Sequence, residues 1–181
     1  MIRDQAACNL IEILYRDHAS IHDLFWRLRR GAPHDRGVLF DELAALLIRH
    51  EVAEEVVVFP FLSTLPGGGD TLAPRLEEQQ QIEHDLVALS QLDPGGRTFA
   101  DRVTRLEAAF RTHVSREEAE IFPMIELNAT IALLEALGTR YEATRHSSVQ
   151  LASRAATRGT GDRTTTIVSM IQRIRRAGKA S

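Results

Sequence analysis

The chain has 181 residues, of which 44% are hydrophobic, and this is enough to build one domain with a buried core. Its formal net charge at pH 7 is -3. That balance argues against a general nucleic-acid-binding protein, which needs a clustered basic surface. The single cysteine excludes an intrachain disulfide. Because the sequence has neither a membrane-length apolar run nor a signal-peptide pattern, we expect a cytoplasmic protein without a membrane span.

Apolar residues recur at intervals of three and four, which predicts helices throughout the chain. The predicted helices lie at residues 10–28, from about 38 toward 60, at about 72–92 and from near 98. Thr98 and Asp101 resemble a capping box at the start of the fourth helix. Short connections join these helices. The fold class is therefore predicted to be all-α, an antiparallel up-down four-helix bundle with additional C-terminal helices.

One pattern, His-x-x-x-Glu-Glu-x-x-x-Phe-Pro, occurs twice, from His50 and from His113. Another histidine that follows an acidic residue precedes each copy. Residues four apart lie on the same helix face, so each His and Glu pair can reach one point. The six candidate ligands all fall on the predicted inward stripes: His18, His50, Glu54, His84, His113 and Glu117. Buried carboxylates without a partner are costly, so the sequence predicts two bound metal ions.

In the order of these motifs, residues 10–127 resemble hemerythrin-like proteins with an HHE cation-binding domain. The resemblance implies two iron ions bridged by Glu54, Glu117 and an oxygen atom. It assigns His18 and His50 to one iron and the other two histidines to the second. Imidazole and carboxylate donors also suit manganese, and zinc is a further alternative. We divide the chain into a di-iron bundle, residues 1–127, and a helical extension, residues 128–181.

By the same resemblance, the third helix of oxygen-carrying hemerythrins has the pattern His-x-x-x-His. In this sequence the residue four before His84 is Gln80. The missing imidazole predicts two open metals, which favours redox turnover of peroxide over reversible oxygen binding. Four side chains are candidates for an extra donor or for a place just outside the ligands: His22, Glu51, Gln80 and Glu118. Glu118 also competes with Glu117, and the strict repeat favours Glu117.

The resemblance implies binding of O2 or a related small oxidant, with catalase-like decomposition of hydrogen peroxide as the expected enzyme activity. The alternatives are a sensor of oxygen, nitric oxide or iron, and an iron-handling protein without turnover. No general acid or base can be assigned; Glu51 and His22 are the nearest candidates. A basic amphipathic helix is predicted at residues 163–181. Its cations complement its own C-terminus; the alternative is a helix that docks a partner protein, a second copy or a membrane surface.

Overall fold

The structure is a computed structural model that describes the backbone of residues 9–156, 167–169 and 171–172, and the side chains of these ranges except 147–156. Within the described ranges all regular secondary structure is helical. The α-helices between residues 9 and 156 are α1 (Leu10–Arg30), α2 (Arg36–Ala53), α3 (Phe59–Leu62), α4 (Gly68–Ser90), α5 (Arg97–Arg116), α6 (Phe122–Asn128) and α7 (Ile131–Ala156). Two π-helical turns, Glu54–Val58 and Glu117–Ile121, join α2 to α3 and α5 to α6.

Four long helical segments form an antiparallel bundle, which confirms the predicted fold class. The segments are α1, α2 continued by α3, α4, and α5 continued by α6. The helix α1 packs against α2 and α5, and α4 packs against α5 and α2. Because the connections are short, consecutive segments run in opposite directions. The additional helix α7 lies across α1 and α2.

Only part of the predicted C-terminal basic helix lies within the described residues. Residues 167–169 and 171–172 are helical, and Ile167 and Ile171 are buried in the same apolar cluster as the bundle core. Two residues of the predicted apolar side therefore pack on this chain itself. The basic residues near the chain end lie outside the described residues.

The starts of the helices follow local chemistry. The helix α1 has a capping box, because Asn9 Oδ1 accepts from Glu12 N–H at 3.0 Å and Glu12 Oε2 accepts from Asn9 N–H at 3.3 Å. The capping box predicted at Thr98 is wrong. The helix α5 begins at Arg97 after Gly96, whose carbonyl accepts the first helical hydrogen bond without a side-chain cap.

The third bundle segment starts at Gly68 rather than near residue 72, and glycine explains the difference. Gly67 has a φ of 75°, in the left-handed region that glycine adopts at little steric cost. A Cβ atom on Gly68 would lie 1.9 Å from the carbonyl oxygen of Leu62. The start of α4 therefore packs directly on the end of α3, and this contact helps to fix how α4 sits in the bundle.

Each π turn begins at the first glutamate of the repeated pattern, Glu54 or Glu117. The carbonyl of that glutamate accepts from the N–H five residues later, which is π-helical bonding. A proline, Pro60 or Pro123, then lies in the first turn of the next α-helix, where its missing N–H is tolerated. The prolines therefore accompany a distortion without ending the helical path. The two copies share a backbone irregularity as well as a sequence.

The buried interior has a polar layer between two apolar clusters. One cluster includes Ile21 and Leu47, and the other includes Leu14 and Val57. On α1, two buried residues between Leu14 and Ile21 belong to neither cluster, Asp17 and His18. The apolar packing on both sides holds the polar side chains at a fixed height in the bundle.

Candidate metal centre

The polar layer brings together six histidine and glutamate side chains that are 0–2% exposed: His18, His50, Glu51, Glu54, His113 and Glu117. Helix α1 contributes one of them, and the rest come from the two repeated patterns. Their nitrogen and oxygen atoms form two groups, and within each group the atoms lie within 4.8 Å of one another. The first group is His18, His50, Glu54 and Glu117, and the second is Glu51, Glu54 and His113.

Two glutamates lie between the groups. Glu54 belongs to both of them. Glu117 also reaches both sides, because its Oε1 lies 3.2 Å from Nε2 of His113 and its Oε2 lies 3.4 Å from Nε2 of His18. His50 Nε2 lies 3.6 Å from Glu54 Oε1. A pair of carboxylates shared in this way is what two adjacent metal ions require of bridging ligands.

His84 does not join this cluster, contrary to the sequence-based prediction. It is exposed on the outer side of α4, and Gln80 is exposed as well. The inward side of α4 carries the buried residues Gln79, Ile82 and Glu83, so the predicted stripe is one residue out of phase. In the dipeptide Asp17-His18 both residues are buried and the histidine joins the cluster, whereas in Glu83-His84 only the acidic residue is buried.

The inward polar residues of the third helix are therefore an amide and a carboxylate, Gln79 and Glu83, in place of Gln80 and the predicted ligand His84. Gln79 is fully buried, and its Nε2 donates to Glu54 Oε2 at 3.1 Å. Glu51 takes the place in the second group that was predicted for His84, with its Oε2 3.7 Å from Nε2 of His113. The first group therefore contains two histidines and the second contains one.

The other two candidates lie outside the cluster. Glu118 is half-buried and its Oε1 lies 2.9 Å from Nδ1 of His18, so it holds a histidine of the cluster from behind. Glu117 is the residue of this pair that lies in the cluster, as the repeat indicated. His22 is half-buried and belongs to neither group; its ring packs edge-on against Phe110 at a centroid distance of 5.3 Å.

Each histidine of the cluster is held through its Nδ1 atom. Nδ1 of His18 faces Glu118, and Nδ1 of His113 lies 3.1 Å from Glu78 Oε2. Arg116 and Arg75 bind Glu78 in turn. Since a carboxylate only accepts hydrogen bonds, both Nδ1 atoms donate. This contact fixes the ring orientation and leaves Nε2 directed at the cluster, which is typical of metal-binding histidines.

The third histidine is held by a phenol from α7. Nδ1 of His50 lies 2.8 Å from the hydroxyl of Tyr141, and this hydroxyl donates to Asp17 Oδ2 at 3.1 Å. Arg145 Nη1 lies 3.1 Å from the other oxygen of Asp17. Burial raises the pKa of Asp17, but its contacts with His50, Arg145 and Tyr141 outweigh burial and lower it below its usual value. The carboxylate is therefore ionised at neutral pH.

The cluster fits a metal on its own geometry. Among the described residues, the Nε2 atoms of all three histidines lack a hydrogen-bond partner, and so do both oxygens of Glu51 and one of Glu117. Buried polar atoms normally have a partner, and here the lone pairs of nitrogen and oxygen converge on the same space. Arg75 is buried and Arg145 is half-buried, and both bind carboxylates outside the cluster. Cations between these donors would satisfy them.

The pKa values of three cluster residues are raised above their usual values. Burial, together with the charges of Glu117 and Glu83, raises the pKa of Glu51 to about 7. Burial and the neighbouring Glu117 and Glu51 raise the pKa of Glu54 well above its usual value. Burial opposes charge on His113, but Glu117 and Glu51 outweigh it and raise the pKa of His113 well above its usual value. The raised pKa values show that the environment of the cluster favours added positive charge, which bound cations would supply.

Comparison with known proteins also indicates a cation-binding site. A family model described as the hemerythrin HHE cation-binding domain matches residues 9–125. The chain belongs to this family. The matched segment includes all six residues of the cluster and ends before α7, so Tyr141 of this HHE protein lies outside it.

Two known proteins are similar to this chain. A crystal structure of an HHE cation-binding domain-containing protein from Mycobacterium kansasii, a homolog of Rv2633c, is 25% identical to this HHE protein. It superposes with a TM-score of 0.74 and covers 90% of this chain and 99% of the other. A DNA nickase from Nostoc sp. strain PCC 7120 is 27% identical over 143 residues. That match covers 78% of this chain but 40% of the nickase, so this chain spans less than half of its length.

Sequence reasoning missed the residues that support the ligands. Tyr141 follows Leu134 and Leu137 at helical spacing, and this spacing could have placed it on the buried side of α7. The sequence indicated Asp17 only as the acidic residue that precedes His18. Nothing in the sequence singled out Glu78.

Within the described residues, no helix is both long and apolar enough to cross a membrane.

Proposed function

We propose that this HHE protein holds two iron ions in the polar layer and uses them to bind a small oxidant, with decomposition of hydrogen peroxide as its activity. The convergence of unpartnered imidazole and carboxylate atoms in a fully buried layer carries the proposal. When bound, an iron pair supplies two adjacent redox centres to the oxidant. Manganese and zinc accept the same donors and are the alternatives.

The protein's own residues set the ligand number. His18 and His50 would hold one ion and His113 with Glu51 the other, while Glu54 and Glu117 reach both. Each ion then has about four protein donors, where iron commonly takes six. Places therefore remain on both ions for a small ligand. This supports turnover of peroxide over one-sided, reversible binding.

Charge balance supports a pair of divalent ions. Three carboxylates lie in the cluster, Glu51, Glu54 and Glu117. When ionised, these three carboxylates offset most of the charge of two divalent cations. This matters because burying an unbalanced charge is costly. The apolar clusters on both sides of the layer would keep bulk water from bound ions. Phe122 stacks on His18 at a centroid distance of 5.6 Å and adds to this cover.

The name of the Nostoc relative, a DNA nickase, raises a second candidate function, because two metal ions held by carboxylates can also cleave phosphodiesters. The depth of the layer argues against this. All six side chains are 0–2% exposed, so a DNA backbone cannot reach them without opening the bundle, whereas O2, H2O2 or NO needs a far smaller opening. A small oxidant is thus the substrate class that the site supports.

The test is elemental analysis of protein from iron-replete cells, followed by peroxide consumption. We expect about two iron atoms per chain and rapid loss of hydrogen peroxide. The Glu117→Gln variant should lose iron and activity, and His84→Ala should keep both because His84 is exposed. Two irons without peroxide loss, but with a spectral change on adding O2 or NO, would replace the enzyme with a carrier or sensor. Absence of metal from folded protein would refute the proposal.

A further inference from the structure

The metal centre is extended by a helix that lies outside the matched HHE segment. Tyr141 of α7 is fully buried, and its hydroxyl contacts a cluster histidine on one side and Asp17 of α1 on the other. The same helix sends Arg145 to the second oxygen of Asp17. A helix that only packs against the bundle could carry phenylalanine at this position, because a buried hydroxyl costs free energy unless it is hydrogen-bonded. The chain of polar contacts therefore indicates a further role.

The direction of these hydrogen bonds follows from counting protons. The Asp17 carboxylate accepts from Arg145 and from the hydroxyl of Tyr141. A tyrosine hydroxyl has one proton, which it gives to Asp17, so it must accept from His50. Nδ1 of His50 therefore carries the proton, and Nε2 keeps its lone pair toward the cluster. The phenol thus selects the tautomer of His50 that can bind a metal.

We propose that Tyr141 is a positioning residue for the metal centre, and that it makes the docking of α7 and the occupancy of the centre depend on each other. The inference rests on the proposed metal binding. If docked α7 prepares His50 for a metal, then bound metal must stabilise docked α7 by the same factor, because linkage is reciprocal. The C-terminal helix then reports the state of the centre.

Two substitutions in the full chain test this, with a third as control. Tyr141→Phe keeps the ring and removes the hydroxyl. Asp17→Asn keeps the shape but reverses the chain: its amide oxygen stays with Arg145, its NH2 donates to Tyr141, and the phenol proton then points at His50. The control is Tyr15→Phe, which removes the hydroxyl of the other tyrosine, a residue that is 47% exposed.

Zinc is the probe, because it binds the same donors and permits NMR. We expect Tyr141→Phe and Asp17→Asn each to weaken zinc binding about 10- to 100-fold, while Tyr15→Phe binds like the wild type. Nitrogen-15 spectra of the metal-free proteins should show the Nδ1–H tautomer of His50 in the wild type and the Nε2–H tautomer in Asp17→Asn. A purely structural role would not reverse the tautomer.

Hydrogen exchange supplies the reciprocal readout. Zinc should slow amide exchange in α7 of the wild type and have little effect there in Tyr141→Phe. The inference is overturned if the wild type binds zinc but both variants bind it equally well, or if His50 is already the Nε2–H tautomer in the wild type. Failure of the wild type to bind any metal overturns the proposed function instead, so the two failures are distinguishable.

Discussion

Replacing Glu51 by glutamine should stabilise the metal-free protein and weaken the metal-bound one. Glu51 is 1% exposed, and its pKa is raised from 4.5 to about 7. A raised carboxyl pKa means that the folded state keeps a proton that the unfolded chain loses, so stability falls as pH rises from 4.5 to 7. Glutamine resembles the protonated carboxyl and avoids this loss.

The size of the effect follows from the two pKa values. Linkage gives a gain for Glu51→Gln of about 1 kcal/mol at pH 5 and about 3 kcal/mol at pH 8. The assay is urea unfolding of metal-free protein followed by far-UV circular dichroism at both pH values. Glu135→Gln is the matched control, because Glu135 is exposed on α7. It should change stability by less than about 0.5 kcal/mol at either pH.

Metal binding should move in the opposite direction. Glutamine offers a neutral oxygen in place of a carboxylate, so the affinity of Glu51→Gln for iron or zinc should drop by more than about 100-fold, beyond the effect of changing a supporting residue. A pH-independent change in stability, or a loss of stability at pH 8, would refute the reasoning that burial raises the pKa of Glu51 and destabilises the metal-free protein.

Three further predictions concern the same layer. Gln79→His should add an imidazole beside Glu54, and peroxide consumption should fall while reversible oxygen binding rises; unchanged kinetics would remove the argument from the missing imidazole. His113→Ala should lose at least one metal ion per chain in elemental analysis, whereas His84→Ala should lose none. Metal uptake should weaken as the pH falls below 7, because protons compete for Glu51, Glu54 and His113, whose pKa values are raised. Calorimetry in buffers of different ionisation enthalpy would detect the released protons.

The sequence predicted the bundle well because its signals are local. Apolar spacing indicates the helices. The repeated His-x-x-x-Glu pattern accounts for four of the candidate ligands in the cluster, and the apolar stripe of α1 accounts for the fifth, His18. The phase of α4 could not be read in this way. Its inward face is polar at Gln79 and Glu83, and its start depends on the contact between Gly68 and Leu62, which joins two segments.

The supporting contacts were beyond sequence reasoning for a different reason. Tyr141 and His50 are 91 residues apart, and no short-range pattern relates them. Their contact depends on how α7 crosses α1 and α2, which only the packed structure determines. Ligands that repeat at helical spacing can be predicted, whereas the partners that orient them come from other elements and are found only once the fold is known.

The two π turns have a consequence for anyone who would transplant this site into a designed protein. Each turn holds one residue more than a regular helix would at that point, directly after a shared glutamate. A straight designed helix with the same sequence would rotate Phe122 by roughly 100° relative to His18 and would bring the ring of Pro123 against a backbone carbonyl. Copying the ligand spacing alone would therefore give an open, strained site. The extra residue in each turn must be copied as part of the metal centre.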